Sequence, residues 1–412
     1  MKMIQQKAKL DFFFVCWQSL YQGNPTGMLK VMLPLFKEHI DKWGENASLY
    51  IGYAVGPISE KNVHDVGIFN KLFVRITNKL HSSIKYTKIP YGFVRLLQEK
   101  VFDYLISQKI KKLVPLKLVT TAYMPKAFKV NRDSGGINIF LPGNPCDVKV
   151  FELLLQEHIK NPFPATDAYL YKGRVNFLEK CVRLSDIICA PNEVVAETYR
   201  RTYPEILVKD LDYSLLISKK WELPPRVEDP SSLNYFYCAH TSWLKGLFYL
   251  LEAWEKITKD DVKGLGTLHI VGEFAHGLKD YVLSRFGTIP RVVFWGGRAD
   301  AEVIVSECHV GIVPSLLDCN PQTIFESMAA GLPVITTSTC GNSRYIKHRS
   351  NGSVVSPGET DALAEEILWY CQNRHNWKEF SSAARHTYEE YGRNVDFGKL
   401  ACEVAAFNRL TA

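Results

Sequence analysis

Two carboxylates, Asp318 and Glu326, bracket the stretch DCNPQTIFE, which runs on through an apolar helix to Gly331 and a short apolar strand. Asn320 is expected to cap that helix and Pro321 to occupy its first position. Gly331 is expected to stop it about ten residues later, as a C′ glycine. Backbone amides around 321 to 323 then stand open at the helix mouth and, with the helix dipole, favour an anion. Glu326 should lie about 8 Å along the helix from its start. Ionised carboxylates accept hydrogen bonds and suit diols. The layout therefore fits a ligand with an anion in the middle and hydroxyls at both ends, the shape of a nucleotide-sugar. Its diphosphate would meet the helix mouth, its hexose Asp318 and its ribose Glu326. The alternative is one acid favouring the dipole and a second that is simply solvated.

Lys245 is expected to begin a helix in the stretch CAHTSWLKGLFYLLEAW, where the dipole disfavours a cation unless an anion binds there. His240 lies five residues earlier, at the end of a strand. Both could reach a diphosphate and stabilise it as a leaving group. A solvated surface lysine is the alternative.

The elements that must hold these residues alternate. Strands are expected at 233–239, 267–273, 291–297, 310–315 and 332–337, with helices between them. Strands separated by helical stretches mean a parallel sheet, in which ligands bind beyond the carboxyl ends of the strands. The first half is similar: the apolar run in KLDFFFVCW reads as a buried parallel strand, and 116–123, 136–143 and the helix–strand–helix of 177–203 follow. A proline-rich, charged stretch places a linker near 206–230. The domains are thus 1–210 and 211–389, with a final helix at about 390–412 packing back on the first.

The chain has 412 residues, 46% hydrophobic and 23% charged, which suits two globular domains. Its ten cysteines form no CxxC pair. They read as reduced core residues, without metal, in a cytoplasmic protein. No run approaches the ~20 apolar residues of a membrane helix, and the N-terminal stretch lacks the cleavage site of a signal peptide. The net charge is +7, but residues 71–132 alone hold 14 Lys or Arg against Glu99 and Asp103. Such a patch suits an anionic membrane surface or an acidic substrate; no nucleic-acid module is visible. Within it, 93–113 can form a helix with Phe93, Leu97, Val101, Tyr104 and Leu105 on one face. It either docks on an anionic membrane or packs as an ordinary helix with a wet basic face.

The segments WLKGLFYLLEAWEKI, LHIVGE, VVFWGG, CHVGIVPS, DCNPQTIFESMAAGLPVITT and NGSVVSPGETDALAEEI follow one another through most of 233–375. Together they resemble the retaining glycosyltransferases of family 4, of the GT-B fold: two Rossmann-like α/β domains with parallel sheets facing across a cleft. The resemblance is weaker at 11–40 and 183–199. The family's Glu-x7-Glu reads here Asp318-x7-Glu326. By resemblance, Asp318 contacts the donor sugar and Glu326 the ribose, while Asn320, Gln322 and Thr323 hold sugar and phosphates. Lys245 matches the phosphate lysine. His240 stands where the family usually has arginine. The base is placed near Gly272, Glu273 and Gly296, and Gly27 matches the glycine loop that approaches the diphosphate. The family's acceptor-side histidine is missing from FLPGNPCD, which offers Gly143, Asn144 and Asp147 instead.

The resemblance implies transfer of a sugar from a nucleoside diphosphate to a glycan or lipid-linked acceptor, with retention and without a metal cofactor. The rivals are a non-catalytic nucleotide-sugar-binding subunit and another enzyme of the same fold, such as an epimerase. A DxD at Asp210-Leu211-Asp212 falls in the expected linker and reads as a chance match.

Overall fold

The structure, a computed structural model, describes residues 11–407 apart from 19, 22–23, 26, 45–46, 56–57, 84–89, 165–167, 214–222, 224–229, 276, 298–300 and 393–394. It divides into two compact units, one of Met1–Phe151, Ala168–Tyr213 and Asp396–Ala412, the other of Glu152–Asp167 and Ser214–Val395.

The first unit holds β1 (Asp11–Cys16), β2 (Leu20–Tyr21), β3 (Asn24–Pro25), α1 (Leu29–Trp43), β4 (Ala47–Ile51), β5 (Ala54–Val55) and β6 (Val63–Asp65). It continues through α2 (Ile68–Ser83), α3 (Tyr91–Ile110), β7 (Leu116–Thr120), α4 (Pro125–Asp133), β8 (Ile137–Phe140) and the start of α5 (Asp147–Lys160). The rest is α6 (Lys172–Val182), β9 (Ile187–Ala190), α7 (Glu193–Thr202) and β10 (Leu207–Asp210). Its parallel sheet runs β10-β9-β8-β7-β1-β4-β6. Strands covered on both faces read as continuous apolar runs: in β1 every residue after Asp11 is buried. A small sheet of β3, β2 and β5 lies apart from it.

The second unit holds β11 (Leu233–Cys238), α8 (Leu247–Ile257), β12 (Leu265–Val271), α9 (Leu278–Phe286), β13 (Val292–Gly296) and α10 (Ala301–Val305). After these come β14 (Val310–Val313), α11 (Gln322–Ala329), β15 (Val334–Thr337), β16 (Gly352–Val355), α12 (Thr360–Gln372) and α13 (Trp377–Tyr391). The parallel sheet runs β13-β12-β11-β14-β15-β16. Strand order reverses between β11 and β14, so this pair of strand ends is the topological switch point, where open α/β sheets bind ligands.

The last helix, α14 (Phe397–Ala406), belongs to the first unit. Asp396 caps it through the Lys399 amide at 2.8 Å, and Lys42 and Lys117 donate to the Gly398 and Ala405 carbonyls at 2.8 and 2.7 Å.

Three expectations need correction. The linker near 206–230 begins too early. Residues 207–210 form edge strand β10, and the Tyr213 hydroxyl donates to the carbonyls of Pro142 and Cys189 at 2.9 and 2.7 Å. Most of the remaining stretch lies outside the described residues. The division also falls inside α5, so Glu152–Asp167 joins the second unit although it precedes residue 210.

The third concerns α3: the alternative in which its apolar face packs inward fails, because that face is the outer one, where the docking alternative puts it. Phe93, Leu97 and Tyr104 are 37%, 37% and 50% exposed, while Leu96, Glu99, Phe102, Asp103 and Ile106 are buried. Glu99 and Asp103 look solvent-facing in sequence, yet each has an inward partner. Arg174 grips Glu99 at 2.8 and 3.0 Å. Asp103 accepts the Lys126 and Ala127 amides that open α4, both at 2.9 Å.

Candidate functional site

The site of the second unit grows from the ends of β11, β14 and β12. After β11 the chain reaches a 3-10 turn, Trp243–Lys245, then Gly246 and α8. Lys245 therefore precedes the helix rather than opening it. Gly246 has φ +68°, and a Cβ there would lie 1.9 Å from the Pro314 carbonyl oxygen. Only glycine tolerates both the left-handed backbone and that approach. The Leu316 amide donates to the Leu244 carbonyl at 2.8 Å. The turn is thus fastened to the loop beyond β14.

That loop carries Asp318. Its amide donates to the Thr339 carbonyl and its carbonyl accepts from the Gly341 amide, each at 3.1 Å. So fixed, the carboxylate faces Lys245: Nζ lies 2.5 Å from Asp318 Oδ2, with side chains 32% and 12% exposed. Ser315 Oγ donates to the same oxygen at 3.2 Å. Burial pulls the Lys245 pKa down, but the adjacent Asp318 carboxylate more than offsets it, and the ammonium is held above the ordinary lysine value.

Helix α11 follows, with a corrected start. Pro321 is the N-cap, extended at ψ 107°, and the first helical residue is Gln322. Proline's missing N–H makes it as harmless at the cap as one position later, which is why the sequence-based expectation sets the start one residue early. The Asn320 side chain does not cap; Asn320 Oδ1 and Gln322 Oε1 are buried without a hydrogen-bond partner. Thr323 Oγ1 donates to the Cys238 carbonyl at 2.9 Å, tying the first turn to the end of β11. Glu326, half-buried, is near enough for its charge to add to burial in pushing the Cys238 thiol up to about 12. Gly331 closes the helix at φ +78°.

On the other side of β11, Gly272 at φ +126° would set a Cβ 1.8 Å from the Ala239 carbonyl oxygen. Its amide donates to the Gly296 carbonyl at 2.8 Å, and the Thr241 amide donates to the Glu273 carbonyl at 2.7 Å. The Glu273 side chain packs on Gly297, where a Cβ would come within 2.4 Å of it. His240 sits exposed between Ala239 and Thr241. The structure therefore brings Lys245, Asp318, Thr323 and Glu326 to one set of strand ends, and Gly272, Glu273 and Gly296 to the adjoining one.

Gly27 belongs to the first unit, at φ +49° beside Gln18; residues 22, 23 and 26 of its loop lie outside the described residues. Asp147 is closed into a buried network rather than presented to a ligand. It accepts the Tyr123 hydroxyl and lies 3.9 Å from Arg174. Burial, countered by Arg174, pushes its carboxyl up to about 6. In the DxD, the Asp212 amide donates to Asp210 Oδ1 at 3.0 Å, a local turn.

Sequence reasoning missed Glu157. Trp243 Nε1 and the Tyr249 hydroxyl both donate to Glu157 Oε2, at 3.1 and 2.5 Å, and Phe163 stacks on Trp243 with ring centroids 4.1 Å apart. Glu157 thereby anchors the turn that carries Lys245. No local signal marks it, because its partners are some ninety residues away in sequence.

Comparison with known proteins bears on the fold and the family. The family described as Glycosyl transferases group 1 matches residues 234–373. The lipopolysaccharide glucosyltransferase WaaG of Escherichia coli K12 is 26% identical over 101 residues, 24% of this chain and 27% of that one. The UDP-Gal:alpha-D-GlcNAc-diphosphoundecaprenol alpha-1,3-galactosyltransferase of Escherichia coli is 23% identical over 245 residues, 57% of this chain and 62% of that one. The chain thus spans less than two thirds of these curated relatives. Among solved structures, Anabaena Alr3699/HepE in complex with UDP superposes with a TM-score of 0.60 at 14% identity, covering 96% of this chain and 99% of that one. The chain has the GT-B fold, and its residues 234–373 match the family described as Glycosyl transferases group 1.

Proposed function

We propose that the protein is a glycosyltransferase that moves a sugar from a nucleoside-diphosphate donor to a glycan or glycolipid acceptor, with retention at the anomeric carbon. The observation that carries this reading is the fastening of Lys245 and Asp318 at the switch point beside the start of α11, with Glu326 on the next turn. Lys245 and the open amides of α11 supply positive charge where a diphosphate departs. Asp318 is the acceptor for sugar hydroxyls and Glu326 for the ribose diol. The leaving phosphate takes the proton of the acceptor hydroxyl, which attacks from the same face. Lys245 and the helix dipole supply the charge stabilisation, so the proposed reaction needs no metal cofactor.

We also place the enzyme in the cytoplasm, peripherally on an anionic membrane. Helix α2 supports the contact. Ile68, Phe69, Leu72 and Ile76 are 75%, 62%, 49% and 56% exposed, with Lys71, Arg75 and Lys79 on the same helix and no acid in the sequence between Asp65 and Glu99. A cationic helix with an apolar stripe lies in a lipid interface. No helix among the described residues is long and apolar enough to cross a membrane. The ten cysteines are all free thiols, in keeping with a reducing compartment.

The test is donor hydrolysis without acceptor, preceded by a thermal-shift screen of nucleoside diphosphates and their sugars to find the base. Slow release of nucleoside diphosphate supports the transferase. Tight nucleotide binding with no turnover selects a non-catalytic subunit instead. In calorimetry, Glu326→Ala should weaken nucleotide binding; an unchanged affinity would remove the ribose role.

A further inference from the structure

The first unit contains a cavity of about 290 Å³. Trp17 and Gln18 line it from the end of β1, Tyr53 from the loop after β4, Asn70 and Asn78 from α2, and Arg95 from α3. A Cβ at Gly52 would stand 2.0 Å from the Trp17 carbonyl oxygen, so glycine alone lets the two loops close on each other.

Among the described residues the lining includes one cation and no carboxylate. Asn70 is 0% exposed. Its Nδ2 donates to the Gly52 carbonyl at 2.8 Å, while Oδ1 is buried with no hydrogen-bond partner. Buried acceptors are rarely left so, and a ligand hydroxyl would satisfy this one. Asn78 Oδ1 already accepts from Gln98 Nε2 at 2.8 Å, which leaves the Asn78 amide N–H groups to donate. The Arg95 guanidinium lies 5.4 Å from the centroid of the Trp17 ring. Its neighbour Glu99 is 3.7 Å away but is held in two prongs by buried Arg174. Among the described residues, the positive charge of Arg95 is therefore only partly balanced.

We propose that this cavity binds a sugar carrying a negative charge, a carboxylate or a phosphate ester. The anion pairs with Arg95, one hydroxyl donates to Asn70 Oδ1, and the Asn78 amide donates to a second ligand oxygen. Its identification as part of the acceptor rests on the glycosyltransferase reading; binding itself does not.

Calorimetric titration of the full chain with glucuronate, glucose 6-phosphate and glucose tests this, with UDP titrated in parallel. At least one charged sugar should bind, ten times or more tighter than glucose, and the tighter of the two names the anion. Arg95→Gln should remove that tenfold preference and leave UDP affinity unchanged. Asn78→Ala, at an exposed position, should weaken all the sugars alike, and it carries the test if Arg95→Gln does not fold. No binding of either charged sugar, equal binding of glucose, or indifference to both substitutions overturns the proposal. Sugar binding with no binding of any nucleoside diphosphate in the screen would leave the cavity standing and remove the transferase reading.

Discussion

Lys245 Nζ stands 2.5 Å from Asp318 Oδ2, so two groups expected to meet different parts of a donor hold each other. On the proposed reading, a diphosphate competes with Asp318 for the ammonium, and the carboxylate it frees is available to the sugar. Coupling of this kind ties the binding of one end of a ligand to recognition of the other.

Asp318→Asn keeps the shape and removes the competing anion. Nucleoside diphosphate affinity should tighten by up to about fivefold, the ~1 kcal/mol of a part-exposed pair. Turnover should fall by about a hundredfold or more, the scale of a lost transition-state contact. Calorimetry and single-turnover kinetics separate the two; weaker diphosphate binding would contradict the competition. Because the Lys245 pKa is raised, the lysine's part of the pair's stabilisation is fully present below about pH 10.4, the ordinary lysine value, while Asp318 is ionised. It is lost only as pH climbs through the higher folded value.

Glu157→Ala leaves the Trp243 indole and the Tyr249 hydroxyl without their shared acceptor. Each orphaned buried donor costs about 1–3 kcal/mol, so the urea midpoint of the second unit should drop. Glu157→Gln, which keeps one acceptor oxygen, should lose less. Equal midpoints for Glu157→Ala and wild type would show that the segment 152–167 does not anchor the Lys245 turn.

Asp103 and Asp147 give the first unit a pH signature. Burial pushes both carboxyls up to about 6, against hydrogen bonds from the α4 amides at Asp103 and the Arg174 charge at Asp147. A carboxyl whose folded pKa is raised holds its proton more tightly in the folded state. Its favourable contribution is complete below the unfolded value of about 3.9 and lost as pH rises through about 6. Asp147→Asn should flatten the fall of Tm between pH 4 and 6 relative to wild type, measured by calorimetric scans. An unaltered slope would rule Asp147 out as a source.

Vesicle co-sedimentation checks the α2 surface. The protein should bind vesicles containing phosphatidylserine at low salt and release them as salt rises. Replacing Lys71, Arg75 and Lys79 with Gln should weaken binding by more than about tenfold, at ~1 kcal/mol per cation near an anionic surface. Phe69→Ser should weaken it without changing the salt dependence. Absence of binding at low salt would dispose of the membrane contact.

The sequence by itself determined the alternation of strands and helices, because continuous apolar runs and helical periodicity are local properties. It likewise placed Lys245, Asp318 and Glu326 at strand ends, since turn residues and glycines mark where strands stop. It could not place the start of α11 to the residue, because proline suits the cap and the first turn alike. Only the tertiary structure decided which face of α3 is buried. There the partners of Glu99 and Asp103 come from distant segments, and a paired charge inside looks no different in sequence from a solvated one outside. The same holds for Glu157, drawn to Trp243 and Tyr249 across the chain. And it holds for Lys245 and Asp318, seventy-three residues apart, whose contact exists only because β11 and β14 lie side by side.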